Sequence, residues 1–555
     1  MKSFKRISAI AMSIACLSAT AATAVGCGKV SDTEETLEIF ITNAGYGTAW
    51  LDAEIEAFKE QDWVKEKYPN LIIPKPGFDS VTIPADKVTA GGKANTADLL
   101  ISCQPASTQY NAKLDGKCVF EDLTEVYEST VPGEDIKLKD KMYDGVYDAQ
   151  FVQFIDGTEN EGTYYAVPWV RGEGCIVYNK TKLEKYMGEG YETPNTTNEF
   201  VALAHTLKDK MVAAGTDDAP MAFTASVGYW GSPTAIWWAQ YEGKEKRDNY
   251  YEGLWENSLG DLEYNVKSIT DQKGRLEALK VLESLIFTTN GLNHKACMTD
   301  PFMKLQSKFM VGEAGVFLPV GDWIMTEMAG TPTDQTIMKL KMPVVSSIVE
   351  KLEMYTHGET RYSALSAAEQ AAYDSKLSAV VEAVDDGLSY SADLGVSEND
   401  FNRIKEARNM FSRMTGHEMF VPSYANGKEV AKDFIRFMAT DEAIEIFMET
   451  TKGTVSPYKY EASEELKAKF YPFQKERYEA MDEAVELRSV SSFRLVMYGG
   501  LKQWQVIGRL DTIFGAQDKD DRRTAQEVYD AEIEHWTTSG NANFELLLSA
   551  AGLKN

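Results

Sequence analysis

Leu37, Ile39 and Ile41 alternate with Glu38 and Phe40, the two-residue period of a short strand. Leu51, Ile55, Phe58 and Trp63 then recur at helical spacing among acids and lysines, and Asp98-Leu99-Leu100-Ile101 reads as a second strand, apolar on both faces. Strand, amphipathic helix and strand in this order point to a parallel α/β sheet, because parallel neighbours need a crossover of this length. Ligands of such sheets bind beyond the carboxyl ends of the strands. Those ends are Thr42-Asn43-Ala44-Gly45-Tyr46 and Ser102-Cys103-Gln104-Pro105, both loop-like.

A second α/β pattern begins at Tyr164-Tyr165-Ala166-Val167-Pro168. It continues through Cys175-Ile176-Val177-Tyr178 into an amphipathic helix around Phe200 to Met211. Leu276, Leu279, Leu282 and Ile286 mark a further helix, and Ala314 to Pro319 a further buried strand. Residues 346–410 are polar, acidic and rich in Ala and Ser, with helical stretches and no obvious strand; they read as a helical insertion. Val430, Phe434, Phe437, Ile444 and Phe447 give two consecutive helical faces, and the tail beyond about 460 is helical. At 555 residues the chain exceeds what one core supports, so two or more lobes are expected.

The N-terminus reads as an export signal. Lys2, Lys5 and Arg6 precede an uncharged run from Ile7 to Ala24 that is rich in Ala, Ser and Thr. Ala24-Val25-Gly26-Cys27 looks like a bacterial lipobox, with residues 1–26 removed and Cys27 lipidated. Residues 27–36 then form a short polar tether. Ordinary secretion with a free Cys27 thiol is the alternative. The folded part is expected outside the cytoplasmic membrane, held to it by lipid.

The net charge of −28 argues against nucleic acid and against coating anionic membranes. Five histidines leave little for His-based catalysis or zinc, and no Cys/His spacing suits a metal. His417-Glu418 begins an HExxH-like string, but position 421 is Val. No G-x-S-x-G elbow or P-loop occurs. No cofactor, metal or catalytic residue is therefore expected. Beyond Cys16 and Cys27, Cys103, Cys118, Cys175 and Cys297 remain. They read as buried thiols, with a Cys103–Cys118 disulfide as the other possibility.

Four segments, in order, resemble the extracellular solute-binding proteins of bacterial ABC importers, the branch that includes maltose-binding protein. Thr163 to Pro168 with Val177-Tyr178-Asn179-Lys180 is similar to the family's crossing between lobes. Pro194 to Phe200 is similar to a family helix start, with Thr197 where Trp is common. Gly312 to Phe317 leading to Gly321-Asp322-Trp323 is the third, and Val430 to Met438 with Asp441-Glu442-Ala443 the fourth. The resemblance implies a two-lobed α/β periplasmic-binding-protein-like fold of type II, with a ligand cleft between lobes that closes by hinge motion. The expected division is 37–169 with 411–456 for the N-terminal lobe, 170–345 with 457–555 for the C-terminal lobe, and 346–410 as the insertion. The partners it implies are an oligosaccharide and the transmembrane subunits of an ABC permease, for a protein that is itself a monomer.

A neutral sugar needs aromatic plates and a polar rim. The resemblance and the loop positions together give Asn43, Tyr46, Gln104, Arg171, Glu173, Tyr229, Trp230, Asp322, Trp323 and Tyr498 as ligand contacts. Trp323 is expected to stack on the sugar. Tyr229 and Trp230 lie in a Gly-flanked aromatic turn, and Arg171 or Glu173 could instead form a hinge salt bridge. Two other readings stay open: the same fold binding a peptide or polyamine, or an exported glycoside hydrolase using paired carboxylates.

Overall fold

The computed structural model describes residues 34–79, 96–102, 117–147, 163–225, 228–414, 416–490, 493–502, 510–515 and 520–553, with residues 88, 113 and 114. The export signal, most of the tether, Cys27, Cys103 and Gln104 lie outside the described residues.

Two five-stranded sheets organise the chain. The first runs Gly77–Asp79, Ile39–Thr42, Leu99–Ile101, Glu418–Phe420, Val167–Pro168. Its first three strands are parallel, with Phe40 opposite both Gly77 and Leu100, as the strand–helix–strand order requires. Glu418–Phe420 runs antiparallel to its neighbours on both sides. The crossover helix, Ala49–Glu60, turns Trp50, Leu51, Ile55 and Phe58 inward. That face joins Phe434, Phe437 and Phe447 of helices Lys428–Met438 and Asp441–Thr450 in one core.

The second sheet is built on Glu173–Asn179, buried along nearly its whole length. Phe317–Gly321 pairs antiparallel along one edge. Ile337–Leu340 and Met410–Arg413 share the other edge in succession, and Val485–Leu487 pairs parallel to Met410–Arg413. Its helices pack through Phe200, Trp237, Trp238 and Leu279. Helix Thr197–Ala213 starts at a capping box, in which Thr196 accepts from the Glu199 amide and Glu199 accepts from the Thr196 amide. The chain passes between sheets at 169–172, between strands Met410–Arg413 and Glu418–Phe420, and again between Phe470, in the first core, and Phe473, beside the second sheet.

Residues 346–410 are helical, with helices Ala367–Asp385 and Glu398–Arg408, and they share the second sheet's core. Leu377, Val380, Val381 and Ile404 are buried together with Trp237 and Phe317. Strand Met410–Arg413, which follows them, lies in the second sheet. Cys118, Cys175 and Cys297 are buried, and burial pushes the Cys297 thiol up to about 12.

Candidate functional site: an aromatic and charged junction between the sheets

Asp322 follows strand Phe317–Gly321 and is fully buried. Its Oδ1 accepts from the Tyr46 hydroxyl at 2.5 Å and from the Glu173 amide at 3.2 Å. Its Oδ2 stands 3.1 Å from Arg477 Nη1. Arg477, on helix Pro472–Glu479, also faces Glu173 at 3.5 Å and donates to the Arg171 carbonyl. Glu173 is completed by Lys339. Two buried carboxylates thus meet two cations, the balance that makes buried charge tolerable. Burial pushes Glu173 up, but Lys339 and Arg477 outweigh it and hold the carboxyl below its usual range. Burial, reinforced by the Glu173 charge, pushes Asp322 up despite Arg477.

Rings close over these charges. Tyr46 packs edge-on against Trp169 at 5.6 Å, Trp323 at 5.7 Å and His417 at 5.4 Å. Trp323 in turn meets His417 at 6.0 Å and Tyr229 at 6.2 Å. Such pairs contribute about 0.5–1.5 kcal/mol each beyond the area they bury. The approach is close enough to demand glycine. A Cβ at Gly45 or Gly321 would run into the Trp323 indole, and one at Gly172 into the Tyr46 hydroxyl. His417 is buried, and burial together with Arg413 drops it to about 3, so the ring is neutral.

The structure brings Tyr46, Tyr229, Asp322 and Trp323 together, with Glu173 one step behind through Arg477. Asn43 is exposed on the loop that carries Tyr46. Arg171 points elsewhere, to Glu486 at 2.8 Å and over the Tyr143 ring at 4.3 Å. Trp230 is 1% exposed and packs in the second sheet's core near Phe223 and Trp237. Tyr498 is half-buried, touching the second sheet's core and the small cluster around Leu100 and Phe420. Trp169, His417, Lys339 and Arg477 belong to the junction without having been singled out for it. Trp169 follows Pro168 in the first crossing, and this adjacency was the only available signal.

The sequence model of the family described as bacterial extracellular solute-binding protein matches residues 45–279. That match spans less than half of the chain. The matched segment holds Tyr46, Trp169, Glu173 and Tyr229. Among solved structures, the chain is similar to an ABC substrate-binding protein from Listeria monocytogenes in complex with cycloalternan. That match has 13% identity and a TM-score of 0.52, covering 90% of this chain and 97% of the other. It is also similar to a chitin oligosaccharide binding protein, at 13% identity and a TM-score of 0.51, covering 93% and 98%. A third is a probable secreted solute-binding lipoprotein from Streptomyces coelicolor, at 14% identity and a TM-score of 0.51, covering 92% and 100%. At these identities the likeness establishes the fold alone, a two-lobed α/β arrangement. No curated protein sequence matches the chain. Among the described residues, no helix is long and apolar enough to cross a membrane, and no His, Cys, Asp and Glu group could hold a metal ion.

Proposed function

We propose that the protein is a bacterial extracellular solute-binding protein, a membrane-anchored receptor that captures an oligosaccharide between its lobes and delivers it to an ABC permease. The lobes expected from the sequence, 37–169 with 411–456 and 170–345 with 457–555, shift at two bounds: strand Met410–Arg413 goes with the second lobe and Tyr458 to Phe470 with the first, while residues 346–410 extend the second. Cys27 carries the lipid, and the protein works as a monomer on the extracytoplasmic face. The observation that carries the reading is the convergence of rings from both sides of the hinge on one buried carboxylate. Tyr46 comes from the first sheet's loop, Trp323 and Tyr229 from the second side, and Asp322 lies beneath them. Flat apolar faces beside fixed acceptors match the faces and hydroxyl edges of a pyranose ring.

In the arrangement seen, the rings fill the space between the lobes. Opening breaks the Tyr46–Asp322 bond and frees the Trp323 indole, and a sugar then takes the place of ring–ring contacts as the lobes close. Closure follows only so far as the sugar makes better contacts in the closed form. A solved structure of this fold in complex with cycloalternan, and that of a chitin oligosaccharide binding protein, support the ligand class.

Isothermal titration with oligosaccharides of differing linkage tests the reading. The expected result is saturable binding to one series, weakened at least tenfold by Trp323→Ala in a protein that still folds, about 1.4 kcal/mol or more. Equal affinity of Trp323→Ala and the parent would remove the junction as the site.

A further inference from the structure

We propose a second saccharide site on the second lobe, outside the junction between lobes. It is a cavity of about 630 Å³ between helix Lys244–Glu252 and the hairpin formed by strands Leu254–Glu256 and Leu262–Tyr264. That volume lies within the ~300–1,000 Å³ of small-molecule sites. None of its lining residues belongs to the junction.

The hairpin register sets Leu254 opposite Tyr264, Trp255 opposite Glu263, and Glu256 opposite Leu262. Trp255 is half-buried and lines the cavity, with the Lys246 and Lys267 ammonium groups each 5.8 Å from its ring centroid. A two-stranded hairpin is marginal alone. This one leans on helices Lys244–Glu252 and Lys267–Thr270. Its turn is fixed by Asn257, whose Oδ1 accepts the Leu259 and Asp261 amides. The aromatic wall is therefore held in place.

Two buried groups face the same cavity. Ser268 is 1% exposed, and its hydroxyl has no hydrogen-bond partner among the described residues. A buried hydroxyl left this way costs stability unless something pairs with it. The Glu242 side chain is fully buried; one oxygen accepts the Gly274 amide at 2.6 Å and the other faces Lys246 at 3.1 Å. Asn249 and Asn257 add amides to the rim.

The lining selects among ligand classes. Glu242, Glu245, Glu256 and Glu406 outnumber Lys244 and Lys246 and stand against an anion; the two lysines interrupt the acidic surface a polycation would need, and spermidine is the control for that class. With Leu254 and Trp255 as its apolar residues, the wall is too polar for a lipid chain. A neutral polyol ring, which both donates and accepts and offers one apolar face, satisfies the mixture. Such a site would hold a second stretch of glycan, or a second molecule, while the cleft works.

The test is fluorine NMR on the full chain labelled with fluorotryptophan, with the Trp255 resonance assigned by Trp255→Phe. The probes are maltoheptaose, xylohexaose and chitohexaose at millimolar concentration, with spermidine as the cationic control. The proposal predicts a saturable shift of the Trp255 resonance with at least one sugar, retained in Trp323→Ala. A Trp255 resonance unmoved by all three sugars, or moved by spermidine instead, overturns it. Movement of the Trp323 resonance in the same titration reports separately on the cleft, so the two readings stand or fall apart.

Discussion

The Tyr46 hydroxyl donates to Asp322 Oδ1 at 2.5 Å, joining residues 276 positions apart in sequence and on opposite sides of the hinge. Because the acceptor is a buried carboxylate, this bond links lobe closure directly to the charge cluster beneath. Tyr46→Phe keeps the ring contacts with Trp169, Trp323 and His417 and removes only the hydroxyl. A hydrogen bond to a charged group contributes about 1.5–3 kcal/mol. The variant is expected to lose stability in that range by urea denaturation and, without ligand, to show a larger radius of gyration by X-ray scattering. An unchanged radius would mean that the bond does not hold the lobes together.

Arg477 is the cation both buried acids share. Arg477→Ala leaves Lys339 for Glu173 but no cation for Asp322. Breaking a buried pair in this way costs about 3–5 kcal/mol. Asp322 then ionises at greater cost, so the variant should regain part of the loss as pH falls and the carboxyl is protonated. Denaturation at neutral and mildly acidic pH checks both statements; a loss independent of pH would place the damage in packing rather than charge.

Much of this arrangement was legible in the sequence. The alternation at 37–41 and the apolar run at 98–101 are neighbouring strands, and Gly321-Asp322-Trp323 sits at the junction. The aromatic turn at 229–230 was less readable. Helix Gly231–Glu242 begins directly after it, which commits Trp230 to the core while Tyr229 stays beside Trp323, and glycine spacing does not say which ring goes where. Arg477 was invisible because its partners come from strands brought together only by tertiary folding. In 346–410, a polar and Ala-rich composition hid a buried stripe through Leu377, Val380, Val381 and Val384.

The two rings of that turn give a clean contrast. Trp230→Ala should cost about 3–5 kcal/mol of stability, the usual toll of removing a buried large aromatic from a core. Tyr229 is half-buried at the junction, so Tyr229→Ala should weaken ligand binding with a smaller stability loss. Parallel denaturation and titration of both variants decide the matter. Equal stability losses would put Tyr229 in the core as well.

Glu418 and His417, adjacent in the second crossing, titrate in opposite directions. Burial, only partly offset by Arg413, raises Glu418 from 4.5 to about 7. Its protonated form favours the fold, so its contribution is complete below about pH 4.5 and lost as pH rises to about 7. Burial, reinforced by Arg413, lowers His417 from 6.5 to about 3, so its contribution is present above pH 6.5 and lost as pH falls toward 3. Between pH 4.5 and 6.5 the two slopes oppose each other. Glu418→Gln removes the falling one, so the variant should gain on the parent as pH rises, by up to about 3 kcal/mol at pH 7. Urea denaturation at several pH values between 4.5 and 7 measures this, and a constant difference would contradict the assignment to Glu418.

The central claim is sugar capture, and a thermal-shift screen of residues 28–555 against oligosaccharides differing in sugar and linkage tests it most directly. A ligand that binds only the folded state raises the melting temperature by mass action. The account predicts a saturable rise with one linkage series, with the sugar recovered intact. No rise with any sugar, alongside a rise with polyamines or peptides, or steady consumption of the sugar during the assay, would contradict it.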